Sequence, residues 1–487
     1  MGAYGFSNRH TPNLDRLAAR GVTFDRAYAQ QAVCGPSRNS FLSGRRPDSS
    51  RSWNFINHFR EDHPEWTSLP GMFKAAGSLS LGAGKIFHPK LPPEYDGPRS
   101  WSDDALPFHN PCWNTADFKW IDPKYQDGGL PCAPCPVDIR HYVFKDNISV
   151  ATEQCQLDAY EDTLSVDKAI QQLRHARSDH FYLAVGLHKP HLPFQAAEED
   201  WEKHPLDAVD LPSNPLPPRD VPPVALQFTD GGAASSRSTP WQVLPANLTR
   251  SARRGYRAAL TGMDRKLGVL LDEVDALGMT NTTAIVLHGD HGWHLGEHGE
   301  WRKFTNFETA TRVPLIVSAP WLTGTLGVRA HGLAELVDLY PTIAQLSGLP
   351  TPSGETPLGG TSLVPLMTGV KKQVKQAALS QYPRRVEDKA QPWKGNSCIH
   401  HDRSSFTHMG YSVRTMEWRY TEWVVWNGTT LSPVWSDVAG RELYDHRNDT
   451  IFPTDFNVGE NINVAEDPTL ADVVATLSSL VRQHFPS

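Results

Sequence analysis

At 487 residues, with 39% hydrophobic and 21% charged side chains, the chain can bury a large core and should hold two or more structural units. A net charge of -7 and an ordinary composition argue against a nucleic-acid binder or a disordered tail, so a polyanionic ligand would have to meet a local basic pocket. No apolar run is long enough to span a bilayer, and six cysteines in so long a chain do not make a disulfide framework.

In chain order, Met1-Gly2-Ala3-Tyr4-Gly5 has neither the basic nor the apolar region of a signal peptide. Cys34-Gly35-Pro36-Ser37-Arg38 follows, with Leu42-Ser43-Gly44-Arg45-Arg46 behind it. Pro36 suits a first helical turn and Gly44 a helix end, so a helix is predicted with Cys34 at or just before its start. Backbone N–H groups and the dipole there favour anions. The thiol is either a reactive group in that field or a small buried hydrophobe. Residues 89–136 and 205–247 are long, loop-like and rich in proline and aromatic residues, which suggests functional rims. Cys112, Cys132, Cys135 and Cys155 fall in one loop-rich region where a bridge is plausible; Cys132-x-x-Cys135 is half a zinc knuckle without a second pair. N-x-S/T sequons at Asn147, Asn247, Asn281, Asn427 and Asn448 are compatible with the secretory route.

Apolar runs at 181–185, 284–287 and 315–317 alternate with helical patterns at 159–173 and 256–277. In the second helix, Tyr256, Leu260, Met263, Leu267, Leu270, Val274 and Leu277 recur every three or four residues, the spacing of a core-facing stripe. The alternation predicts an α/β fold with a mostly parallel central sheet flanked by helices. Composition shifts at 351–374, which places a main unit over 1–370 and a C-terminal subdomain over 371–487. There, strand patterns at 411–414, 420–426 and 441–444 and a closing helix at 470–485 predict a smaller α+β unit on an antiparallel sheet.

The run from Ala284 to His298 reads as a buried strand that stops at a glycine turn carrying Asp290 and His291. Ligands of open α/β sheets bind beyond the carboxyl ends of strands, and a carboxylate and an imidazole there suit a divalent cation, although an isolated Asp-His-Gly is an ordinary turn. Cys34-x-Pro-Ser-Arg with the downstream Leu-x-Gly-Arg, taken with this block, resembles the sulfatase family of the alkaline-phosphatase-like superfamily. Gln30-Gln31-Ala32-Val33, Arg46-Pro47-Asp48, Gly84-Lys85-Ile86-Phe87-His88-Pro89, residues 186–194, residues 293–303 and Met409-Gly410-Tyr411-Ser412-Val413-Arg414 resemble its iduronate-2-sulfatase branch.

The resemblance implies that Cys34 is converted to a formylglycine aldehyde by a formylglycine-generating enzyme and that its hydrate is the nucleophile. Arg38 would support the hydrate, Lys85 and Lys303 would grip the sulfate oxygens, His88 would hydrogen-bond the hydrate, and His188 would be the general acid. Asp290, His291 and the modified Cys34 would hold one Ca²⁺. It also implies a Cys112–Cys135 bridge, and a substrate that is a 2-O-sulfated iduronate end of heparan or dermatan sulfate, or another sulfate ester, in a lysosomal or secreted compartment. One hydroxyl of the hydrate would attack sulfur, the sugar alcohol would leave with a proton, and the second hydroxyl would expel sulfate.

Two departures stand out. Family members open with an apolar strand ending in two adjacent aspartates that bind the metal; no such strand precedes Gly2-Ala3-Tyr4-Gly5, and Asp103-Asp104 follows no comparable strand. His288-Gly289 stands where small hydroxyl residues are usual. The expectation is an N-terminally truncated form of an active enzyme. The alternatives are a phosphate or phosphonate ester hydrolase of the same superfamily and a silent sulfated-glycan binder.

Overall fold

The computed structural model describes residues 1–6, 10–102, 139–142, 149–151, 161–192, 194–228, 238–449 and 458–485. Cys112, Cys132, Cys135, Cys155 and the bridge expected among them, Asp103-Asp104 and the Asn147 sequon lie outside these residues.

The fold is α/β. Strand β1 (Val22–Tyr28) is buried along its whole length, as its apolar and β-branched residues require of a central strand. It pairs in parallel with β6 (Val328–Glu335) on one side and antiparallel with β5 (Arg312–Ser318) on the other; β5 in turn pairs antiparallel with β4 (Ile285–His288). A separate parallel pair is made by β2 (Leu79–Gly84) and β3 (Phe181–Gly186). Helices cover both faces: α1 (Pro12–Ala19), α4 (Glu161–Ala176) and α5 (Ala246–Ala276) on one, and α2 (Cys34–Ser43), α3 (Leu69–Ala75) and α6 (Leu339–Ser347) on the other. Strands β1, β2, β3 and β4 all release their chains at one edge of this layer, and the segments that follow converge on Cys34.

A second sheet, β7 (Ala378–Arg384), β8 (His408–Arg414), β9 (Trp418–Asn427) and β10 (Ser432–Asp445), is wholly antiparallel, with α7 (Ala471–His484) packed on it. Its edge strand β7 runs beside the segment leading to Cys34: the Gln381 N–H donates to Gln30 O at 2.8 Å and the Ser380 hydroxyl to Ala29 O at 2.7 Å.

Two expectations need correction, and one strand had no sequence signal. Helix α5 starts at Ala246 rather than Tyr256, because polar residues in its first turns are buried by tertiary contacts; Arg253, for one, reaches Glu297 at 2.6 Å. Strand β7 escaped notice because Ser380, Gln381 and Pro383 interrupt its apolar pattern. The run at 284–287 reads as a buried strand, yet β4 is only half-buried throughout, as β3 is too.

Candidate active site

Helix α2 begins at Cys34, with Val33 in extended conformation before it, and ends at Gly44, which adopts φ +72°. Every residue of the helix is buried. The thiol therefore sits at the positive end of a helix dipole inside the protein.

Two ammonium groups reach it. Lys303 Nζ is 3.0 Å from Cys34 Sγ and Lys85 Nζ is 3.6 Å away. His291 Nε2 lies 3.3 Å from the same sulfur and 3.2 Å from Lys303 Nζ. His291 Nδ1 faces Gly292 O at 2.8 Å, which places a proton on Nδ1 and turns Nε2 toward the site. Burial alone would raise the Cys34 pKa; Lys303, Lys85 and His291, with a hydrogen bond from His191, hold it well below the ordinary thiol value.

Arg38 ties two walls together. Its Nε donates to Asp290 at 2.9 Å while its Nη1 donates to Ile86 O at 2.8 Å and to Lys85 O. The Ser37 hydroxyl holds Asp290 O at 2.5 Å. Burial would raise the Asp290 pKa, but Arg38 and His291 pull it down to about 2. Burial pushes the Lys85 pKa down, which is the cost of seating a cation in this wall.

The remaining imidazoles form a rim. His88 stacks on Phe55 with ring centroids 4.2 Å apart, and its Nδ1 faces Pro89 O at 3.1 Å. Burial pushes its pKa down to about 3. His188 is buried, and its ring lies 4.7 Å from that of His191. The backbone N–H groups of His188 and Lys189 both donate to the buried Asp162, at 2.5 and 3.1 Å. All eight residues singled out in the sequence, Cys34, Arg38, Lys85, His88, His188, Asp290, His291 and Lys303, thus line or adjoin one pocket.

Sequence reasoning missed His191 and Asp162. His191, three residues past His188, is the imidazole hydrogen-bonded to Cys34; burial pushes its pKa down to about 4. The His-x-x-His spacing within residues 188–191 was the available signal. Asp162 gave none, because an acidic residue in a helix is usually a solvated one. The block from Trp293 to Lys303 is a platform: residues 294–295 and 301–302 pair antiparallel, Glu297 holds Arg253, and Lys303 leaves the ribbon pointed at Cys34. Its turn needs glycine at 299, where φ is +70° and a Cβ would meet Pro240 O at 2.5 Å.

Residues 1–349 match the family model described as Sulfatase. The chain belongs to the sulfatase family. It is 34% identical to iduronate 2-sulfatase from Homo sapiens over 91% of this chain and 86% of that one, and 27% identical to choline-sulfatase from Rhizobium meliloti over 80% and 73%. Among solved structures it resembles a phosphonate monoester hydrolase from Silicibacter pomeroyi, with a TM-score of 0.68 at 21% identity over 97% of this chain and 90% of that one, a likeness of fold. This sulfatase is accordingly a hydrolase of sulfate esters.

Sulfatases generally use Ca²⁺, which takes about six to eight oxygen ligands. Here Cys34, Asp290 and His291 place their ligand atoms within 4.8 Å of one another. That trio supplies a single carboxylate, and Arg38 and Lys303 already donate to Asp290 and His291. The donors among the described residues do not by themselves make a calcium site. A second trio, Glu308, His446 and Glu460, is fully buried and answered by Arg312, Arg414 and Arg419, which makes it an ion-pair network.

Proposed function

We propose that this sulfatase removes the 2-O-sulfate from iduronate ends of heparan and dermatan sulfate, with Cys34 as the position that carries its nucleophile. The observation behind the reading is the convergence of the Lys85 and Lys303 ammonium groups on Cys34 at the first residue of α2. Two fixed cations and a helix N-terminus around one atom make a receptor for a tetrahedral anion, and they already point where charge develops as the ester breaks. The similarity to iduronate 2-sulfatase supports the sugar.

Converted to formylglycine, position 34 would supply a hydroxyl to attack sulfur and a second hydroxyl to expel the sulfate. The rest falls to the chain's own side chains. Lys85 and Lys303 hold the sulfate oxygens. Arg38 keeps Asp290 ionised and fixes the backbone at Lys85, so the two walls of the pocket cannot part. His188, held through its backbone by Asp162, stands over the leaving alcohol as proton donor, and His88 and His191 close the pocket as neutral rings. Exposed sequons at Asn247, Asn281, Asn427 and Asn448 support a glycosylated protein of the secretory and lysosomal route.

The test is turnover of a fluorogenic iduronide 2-sulfate, choline sulfate, an aryl sulfate and an aryl phosphate by the full chain co-expressed with a formylglycine-generating enzyme. The iduronide should be hydrolysed fastest, and Cys34→Ala should abolish turnover. Aryl phosphate turned over at least as fast as aryl sulfate would assign a phosphate-ester hydrolase instead. Release from none of the four would leave a binder of sulfated glycans.

A further inference from the structure

The connection between β7 and β8 carries a local charge opposite to that of the whole chain. From Lys389 to His401 it holds two lysines, two histidines and no carboxylate, in a protein of net charge -7. Residues 238–249 likewise hold no carboxylate. The two segments meet in an aromatic pair, Trp241 and Trp393, whose rings cross edge to face with centroids 5.0 Å apart. Trp241 is 44% exposed and Val243 48%. Trp393 is half-buried, and its covered Nε1 has no hydrogen-bond partner among the described residues. A single exposed apolar residue is ordinary. A tryptophan pair with an unmet N–H in a basic stretch is not, because a covered indole normally finds an acceptor.

Both halves of the pair are fastened to the active site. Pro240, next to Trp241, lies on the Gly299 turn of the ribbon that carries Lys303, where a Cβ would meet Pro240 O at 2.5 Å. On the other side, Trp393 O accepts from the Phe228 N–H at 2.9 Å and Ser397 O from the Tyr382 hydroxyl at 2.9 Å. Ile399 O then accepts from the Phe55 N–H at 2.8 Å, and the His400 ring meets the Phe55 ring at 5.9 Å. Phe55 is the ring on which His88 stacks at the pocket. Residues 393–400 therefore run from the tryptophan pair to the pocket rim. Seven residue steps bound that distance at about 24 Å, within reach of a short oligosaccharide.

We infer that Trp241 and Trp393, with the exposed Lys394, form a second binding site for the non-reacting part of a polyanionic saccharide chain whose terminal sulfate occupies the Cys34 pocket. The apolar face of a sugar ring lies on the exposed indole, a sugar hydroxyl meets the N–H, and the lysine answers the sulfates and carboxylates of the chain. A purely apolar partner leaves the N–H unmet and gains nothing from the cation. This site rests on the proposed glycan substrate and extends it beyond the reacting sugar. Contacts to distant sugars are equal in ground and transition states, so they act on KM and leave kcat alone.

The test compares the parent with Trp241→Ala and Trp241→Phe, each checked for a parental melting curve. A labelled heparin hexasaccharide, followed by fluorescence anisotropy on protein whose Cys34 is unconverted, should bind the parent saturably. Trp241→Ala should weaken that binding about ten-fold and Trp241→Phe should retain most of it. With converted protein, Trp241→Ala should raise KM for sulfate release from the hexasaccharide about ten-fold at unchanged kcat, while both constants for the single-sugar iduronide stay parental. Equal binding by all three proteins would overturn the inference, and so would an equal loss on both substrates, which marks a damaged pocket. Self-association that Trp241→Ala abolishes, with glycan binding unchanged, would assign the patch to a second copy of the chain. Trp241-dependent binding without sulfate release from any substrate would refute the proposed substrate and leave the second site standing. Release with binding that ignores Trp241 would refute the second site alone.

Discussion

At the scale of single residues, the site concentrates positive charge on one sulfur. Lys303 makes the shorter contact of the two lysines and also orders His291, so its loss removes an anion donor and frees an imidazole. Lys303→Ala and Lys85→Ala should each lower kcat by about 10²–10³, the cost of deleting a donor aimed at developing charge. A steady-state comparison against the parent checks this; a variant that raised only KM would mean that the lysine binds ground state and transition state alike. Residues at this scale were legible wherever a motif surrounded them, as for Cys34, Lys85, Asp290 and Lys303. Asp162 and His191 were not, because their importance comes from contacts across the chain: Asp162 caps backbone N–H groups at 188 and 189, and His191 swings to the thiol.

At the scale of elements, the parallel pair β2 and β3 carries Lys85 and His188 to the pocket, and the pair must pass extremely close at its end. Gly186 lies against the Lys85 carbonyl, and a Cβ built on it would stand 2.0 Å from that oxygen. Gly186→Ala must push the two strands apart, and it displaces Lys85 first, since the Lys85 N–H donates to Gly186 O at 2.8 Å. A displacement of about 1 Å in a positioned group costs about 10² in rate. The variant should fold with a lowered melting midpoint, since overpacking costs about 1–3 kcal/mol, and lose turnover at temperatures where it stays folded; unchanged turnover would show that the close approach is not what seats Lys85. A short apolar run disclosed β5, and period-two alternation disclosed β8, β9 and the end of β10. It failed for β7, whose polar residues are used internally: Ser380 and Gln381 bond the segment that leads to Cys34.

At the scale of the whole molecule, the second sheet is locked to the first through a buried carboxylate. Glu308 Oε2 accepts from Arg414 of β8 at 3.0 Å, and its other oxygen accepts from Tyr28 of β1 at 2.8 Å and from Arg312 at 3.3 Å, with His446 and Glu460 completing the surroundings. Burial would raise the Glu308 pKa, but Arg414, His446 and Arg312 outweigh it and hold the carboxyl well below the usual range. A depressed folded-state pKa means that the stabilisation is complete above the ordinary carboxylate value of about 4.3 and is lost as the pH falls below it. Glu308→Gln, which leaves Arg414 only Asp449 as a carboxylate partner, should cost up to about 3 kcal/mol in urea unfolding at neutral pH and flatten the loss of stability on acidification. An equal slope in parent and variant would place the acid sensitivity elsewhere. The layered α/β architecture was legible from alternation, because a run of apolar residues states that a strand is buried even where it does not state which neighbours it finds. Everything proposed for the pocket depends on what Cys34 becomes. Mass spectrometry of the tryptic peptide spanning residues 27–38, from protein made alongside a formylglycine-generating enzyme, should show the thiol replaced by an aldehyde; an intact thiol in protein that releases sulfate would contradict the account.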